Sequence, residues 1–262
     1  MDNRPIGFFD SGVGGVTTIP HIMRMLPNES IIFFGDTART PYGSKSAKTI
    51  RQFTLQIGEF LRNNDVKMIV IACNTVSSTA LELLRKTYHD IPIVGCITPT
   101  AKEVVKICDK DSRIGIMATK ATVKSGVYED KIKSLNRELF IKSIACPALV
   151  PLIEEGIIDN EIMDLTLRYY LDDFIKENDI NTLILGCTHY PLISKNLKRL
   201  YPDIKIFSSS KEVATAVKME LEAADILSDK ENAKSIFYAS DLSENFVNMI
   251  ERILGRDSDE LN

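Results

Sequence analysis

The chain has no tryptophan, and its three histidines and five cysteines in 262 residues are few enough to close off classes of function. The cysteines stand at 73, 96, 108, 146 and 187, an odd and scattered set without a CxxC pair. Neither a disulfide framework nor a zinc ribbon or thioredoxin-type motif therefore organises the fold. With histidines only at 21, 89 and 189 and no Cys/His cluster, metal catalysis is not expected and no metal ligand is assigned. No run of about 18 apolar residues exists, which excludes a helical membrane span, and no membrane partner is expected. The opening MDNRPIGFFDSG reaches an aspartate too soon to hold a signal-peptide core, so export is not expected either. Lys and Arg total 32 against 36 Asp and Glu, a formal net charge of −4 with no basic block. Nucleic acid, which demands clustered cations, is not an expected partner. Phosphate loops are missing as well: no GxxxxGK motif occurs, GVGG is not GxGxxG, and the aspartate before it would repel a pyrophosphate.

What remains is ordinary globular composition, 44% hydrophobic and 26% charged, in a chain long enough for one large domain or two modest ones. Short β-branched or aromatic runs recur at 5–10, 31–34, 67–72, 92–95, 113–118, 140–145, 182–186, 204–207 and 235–239. Between two of them Ile50, Phe53, Ile57, Phe60 and Leu61 repeat at three- and four-residue spacing, the pattern of an amphipathic helix. Continuous apolar strands alternating with such helices predict an α/β fold with buried, mainly parallel sheets flanked by helices. A weak internal repeat divides that fold in two. The segment Val66 to Thr75 resembles Ile180 to His189, placing Cys73 and Cys187 at equivalent strand ends 114 residues apart (73 to 187). Upstream, Arg4 to Ser11 resembles Ser112 to Thr119, with Gly7 matching Gly115. Apolar strands look alike whatever their origin; if the repeat is real, two pseudo-symmetric α/β units built on one plan face each other across a cleft.

In parallel sheets ligands bind beyond the carboxyl ends of the strands, so the residues after each run are the candidates. They are Asp10-Ser11-Gly12-Val13-Gly14-Gly15, then Gly35-Asp36-Thr37 leading to Pro41-Tyr42-Gly43, then Cys73-Asn74-Thr75, Thr119 with Thr122, and Cys187-Thr188-His189. Small hydroxyl, amide and carboxyl groups around two thiols suit a small zwitterion better than a long cofactor. Amides of the glycine-rich turn are read as donors for a substrate carboxylate. Simpler roles stay open: Asp10 as N-cap of a helix starting near Gly15, His189 as cap of its own helix, Tyr42 packed in a turn.

A lone nucleophilic cysteine needs a histidine base and an oxyanion hole. Cys187 with His189 keeps a cysteine hydrolase open, but Cys73 is then unexplained. Two thiols brought from related halves make better sense as opposed acid–base groups: one removes a proton from carbon as thiolate, the other returns a proton to the opposite face. Free thiols titrate near about 8.5, so one needs modest activation. A non-catalytic amino-acid-binding protein with a two-domain cleft is a reading from another class. Cys96, Cys108 and Cys146 are read as core or surface thiols.

Taken together, Phe9 to Gly15, Gly35 to Thr37, Pro41 to Gly43, Ala72 to Thr75 and Gly186 to Leu192 resemble, in order and across nearly the whole chain, the glutamate racemases of the aspartate/glutamate racemase superfamily. The resemblance implies cofactor-independent interconversion of L- and D-glutamate in the cytoplasm, supplying D-glutamate for peptidoglycan, by a homodimer. It implies two α/β domains, 1–97 with 208–262 and 98–207, with the substrate between them. By the same resemblance Cys73 acts on D-glutamate and Cys187 on L-glutamate, with Asp10 and His189 as auxiliary catalytic groups. Ser11, Pro41, Tyr42, Gly43, Asn74, Thr75 and Thr188 hold the substrate with Asp10 and His189; Thr119, Thr122 and Glu154 join them, Glu155 competing with Glu154. An aspartate or other amino-acid racemase of the superfamily is the nearest alternative. The polar tail 256–262 is expected to fray.

Overall fold

The computed structural model describes residues 1–255; the tail 256–262 lies outside them. Among the described residues nine strands form where the apolar runs lie: β1 (Ile6–Asp10), β2 (Ile31–Gly35), β3 (Met68–Ile71), β4 (Ile93–Gly95), β5 (Arg113–Ala118), β6 (Phe140–Ala145), β7 (Thr182–Gly186), β8 (Lys205–Ser208) and β9 (Ser235–Ala239). They make two α/β domains, one on a sheet of order β4-β3-β1-β2-β9 and one on a sheet of order β6-β5-β7-β8, with every pairing parallel.

The two sheets share one plan. From the outside inward the first reads 4-3-1-2 and the second, taken from its other edge, 8-7-5-6, so β3 corresponds to β7 and β1 to β5. Gly7 lies opposite Ile69 and Gly115 opposite Leu183, which is the register the sequence repeat requires. β9 is the addition: the chain leaves the second sheet after β8 and returns to extend the first beyond β2.

Helices bury both faces of each sheet, so β1, β3 and β7 are inaccessible along their whole length, as their unbroken apolar character requires. The helix Ala47–Asn63 carries the expected stripe, with Ile50, Ile57 and Leu61 buried, and starts where the Ser46 side chain accepts from the Thr49 N–H. Gly58 on the same helix allows close approach, since a Cβ there would stand 2.7 Å from Leu84 and Tyr88 side-chain carbons.

Candidate active site

The carboxyl ends of β1, β2, β3, β5 and β7 open onto one cavity of about 270 Å³. The part of that space a water molecule could occupy is only about 10 Å³, so the site is nearly closed and has no room for a dinucleotide. Cys73, just past β3 in the first sheet, and Cys187, just past β7 in the second, both line it and are both buried. The other three cysteines are absent from its wall. Ser11 enters after β1, and Pro41, Tyr42 and Gly43 come from the loop after β2. Asn74 and Thr75 follow Cys73, Thr119 follows β5, and Thr188 and His189 follow Cys187.

Asp10, Thr122 and Glu154 do not line the cavity; each stands one hydrogen bond behind a residue that does. Asp10 is fully buried and accepts from Thr188 Oγ1 at 3.2 Å and from the Gly12 N–H at 3.1 Å. Thr122 lies 3.1 Å from Thr119 and 3.4 Å from Thr75, and Thr75 and Thr119 are 2.9 Å apart, a buried cluster of three hydroxyls spanning the two domains. Glu154 Oε1 sits 2.9 Å from His189 Nε2 and accepts from Thr40 Oγ1 at 3.2 Å, while Glu155 is exposed.

Two of the simpler readings give way to geometry. His189 occupies the N-cap position of the 3-10 turn Tyr190–Ile193 but makes no side-chain cap; its ring spans from Cys187 Sγ, 3.7 Å from Nδ1, to Glu154. Asp10 is not at an N-cap position either, because the 3-10 turn Gly14–Thr18 starts from Val13. Asp10 instead gathers the N–H groups of Gly12 and Gly15, so those amides are committed to a carboxylate of the chain rather than left for a ligand. The glycines have a steric reason to be there. A Cβ on Gly12 would lie 2.5 Å from Glu154 Oε1, and one on Gly14 would lie 2.6 Å from both His189 Nδ1 and Thr188 Oγ1. Tyr42 does pack its ring, against Phe9 and Phe53, and also donates its hydroxyl to the buried Asp36 carboxylate, which Arg39 pairs.

The two thiols sit in unlike electrostatic settings. Burial pushes the Cys73 thiol well up, the Asp10 charge pushes it further, and its proton is directed to Ser11 Oγ at 3.4 Å. Burial raises Asp10 as well, against the pull of His189. For His189 burial opposes the charged form, but hydrogen bonds to Cys187 and Glu154 and their negative charge outweigh it and hold the imidazolium well above its ordinary range. One side of the cavity thus keeps a proton on sulfur; the other sets a protonated ring beside sulfur.

The raised histidine makes a stability prediction. A folded-state value above the unfolded one stabilises the protein fully below about pH 6.5 and is lost as pH rises through the folded value. The advantage of the parent over His189→Asn in denaturant unfolding is therefore expected to be larger at pH 6 than at pH 9. A difference independent of pH would show that His189 is not held as the cation.

Residues that pattern reading passed over complete the surroundings. Val150 supplies an apolar wall, Thr40 reaches Glu154, and Tyr128 donates to Asn74 Oδ1 at 2.6 Å. Thr40 adjoins the Pro41-Tyr42-Gly43 block, whereas nothing near Tyr128 marks it.

Comparison with known proteins agrees with this architecture. The profile of the Asp/Glu/Hydantoin racemase family matches residues 16–217. A glutamate racemase of Geobacter metallireducens is 41% identical over 97% of this chain and 94% of its own. One from a Sulfurihydrogenibium species is 47% identical over 82% of each. The crystal structure of Francisella tularensis glutamate racemase in complex with D-glutamate superposes with a TM-score of 0.91 at 37% identity, covering 98% of this chain and 95% of that one. On its sheet plan, its paired strand-end thiols and these matches, the chain belongs to the Asp/Glu/hydantoin racemase family.

Proposed function

We propose that this chain is a glutamate racemase, an isomerase that interconverts L- and D-glutamate with Cys73 and Cys187 as opposed acid–base groups. The observation that carries the reading is the delivery of two buried thiols, from equivalent strand ends of two like-built sheets, into one small polar cavity. Relatives named glutamate racemase along nearly the full chain support glutamate as substrate.

The asymmetry of the thiols suggests the order of events. With Cys73 protonated and His189 charged beside Cys187, the site is set to receive L-glutamate. The Cα–H bond breaks toward Cys187 as thiolate, the electron pair passes to Cα and its carboxylate, and the S–H bond of Cys73 breaks to deliver its proton to the opposite face. The product is D-glutamate, and the protonation states of the two sulfurs are exchanged, ready for the reverse reaction. An α-hydrogen beside a carboxylate is a very weak acid, so preorganised donors in a desolvated site must stabilise the developing charge. Asn74, Thr75 and Thr119 supply such donors, while Thr188, its hydroxyl proton given to Asp10, offers an acceptor for the substrate ammonium group; Asp10, Thr122 and Glu154 fix Thr188, Thr119 and His189 from behind.

The accompanying assignments are a homodimer in the cytoplasm supplying D-glutamate for peptidoglycan, and domain limits at 1–97 with 208–262 and 98–207. Among the described residues no helix is long and apolar enough to cross a membrane. The decisive test is exchange of the α-hydrogen in D₂O for each enantiomer of glutamate and of aspartate, without added cofactor. Exchange and loss of optical activity with both glutamates is expected. Exchange with aspartate alone overturns the substrate; exchange with none of the four overturns the enzyme in favour of a binding protein.

A further inference from the structure

Asn74 opens the helix Asn74–Thr79 directly after Cys73, is buried and lines the cavity. Its two amide atoms are treated unequally. Oδ1 accepts from the Tyr128 hydroxyl at 2.6 Å, whereas Nδ2, also buried, has no partner among the described residues. Buried amide groups are normally satisfied, and an NH₂ left open in the wall of a ligand cavity is a donor awaiting an acceptor.

Tyr128 reaches Asn74 from the other domain. It lies on the helix Val127–Leu135, joined through Gly126 at φ 67° to the helix that Thr119 caps. Thr119 meets Thr75 across the same boundary, so adjacent residues of the first domain are both held by the second. Thr100 also neighbours the Tyr128 hydroxyl, but its own proton goes to the Cys96 carbonyl at 2.8 Å. The phenol proton goes to Asn74 Oδ1, in the short bond at 2.6 Å. Turning the amide over would break that bond and aim a carbonyl oxygen at the substrate.

We infer that Tyr128 is a positioning residue for racemisation: its phenol fixes the Asn74 side chain so that the amide NH₂ is presented to a carboxylate of the substrate. The inference rests on the activity proposed above and adds a residue that never touches substrate.

The test is steady-state racemisation of D-glutamate by the full chain, followed by circular dichroism. Tyr128→Phe keeps the ring and is expected to raise KM about 10-fold, the scale of one lost hydrogen bond, with kcat changed less than about threefold. Asn74→Ala is expected to raise KM at least as much, and adding Tyr128→Phe to it should change nothing further. Parent-like KM in Tyr128→Phe, or an equal penalty in both backgrounds, overturns the assignment, because a purely structural tyrosine would act without regard to Asn74. Should Tyr128→Phe not fold, the parent protein decides alone. Its ¹⁵N-labelled Asn74 side-chain resonance, identified by its absence in Asn74→Ala, must move on saturation with D-glutamate; an unmoved signal overturns the inference. A parent that does not racemise glutamate at all overturns the activity itself, and the positioning role with it.

Discussion

Cys73→Ala and Cys187→Ala are each expected to lower racemisation in both directions by at least about 10³-fold, within the range a positioned acid–base group contributes. The reason is that the two thiols are not interchangeable. They reach the cavity from different sheets, and each reaction direction uses one to take the proton and the other to replace it. Removing either leaves one enantiomer without a base to form the carbanion and the other with a carbanion that can only be reprotonated from the face it was formed on. On the Cys73 side the thiol donates to the Ser11 hydroxyl, a far weaker acid than a thiol, and Asp10 is already bonded to Thr188 and the Gly12 N–H. On the Cys187 side His189 is close but committed to Glu154 through its second nitrogen. Circular dichroism with each enantiomer separates the directions, and normal turnover by either variant would sink the two-thiol mechanism. Cys108→Ala is the control: it lies outside the cavity, and its kcat should stay within about twofold of the parent.

How far this site could be read from the sequence depended on where each bond falls along the chain. β5, β6, β7 and β9 coincide end for end with the runs read from the sequence; β5 and β7 are buried on both faces and so must be apolar nearly throughout, whereas β6 and β9 are only half-buried and owe their legibility to β-branched and aromatic residues. The thiols were legible because each is the first reactive residue after a strand buried on both faces, and the repeat pairs them. The choice between Glu154 and Glu155 was not legible. They end the short helix Leu149–Glu154 side by side, and which one meets His189 depends on how that helix docks, not on local pattern. Tyr128 was invisible for a related reason. Its bond to Asn74 joins residues 54 apart in sequence and on different domains, and a tyrosine on an amphipathic helix gives no sign of it. In the glycine-rich turn the steric role is what local pattern hides: the Gly12 and Gly15 amides serve Asp10, and the missing side chains of Gly12 and Gly14 make room for Glu154 and His189.

Gly14→Ala is accordingly expected to cost about 10²-fold or more in kcat, although glycine 14 carries no chemistry. A Cβ there would stand 2.6 Å from His189 Nδ1 and Thr188 Oγ1 and 2.9 Å from His189 Cε1, distances that atoms do not tolerate, so something must move. The backbone cannot retreat easily: Thr17 Oγ1 donates to the Gly14 carbonyl at 2.8 Å and lies 3.3 Å from the carbonyl of Thr188, tying the two segments together. The imidazole cannot retreat either without leaving Cys187 or Glu154, and Thr188 is bonded to Asp10. The added methyl therefore displaces the ring that serves Cys187, by a shift of the order that costs about 10²-fold when reacting groups lose alignment. Overpacking should also destabilise the fold by about 1–3 kcal/mol, a drop in melting temperature of some ~2–10 °C. A double-mutant cycle separates displacement from general damage. In a His189→Ala background the methyl has room, so Gly14→Ala should cost little further activity; an undiminished penalty there would mean that the glycine serves the backbone rather than the histidine.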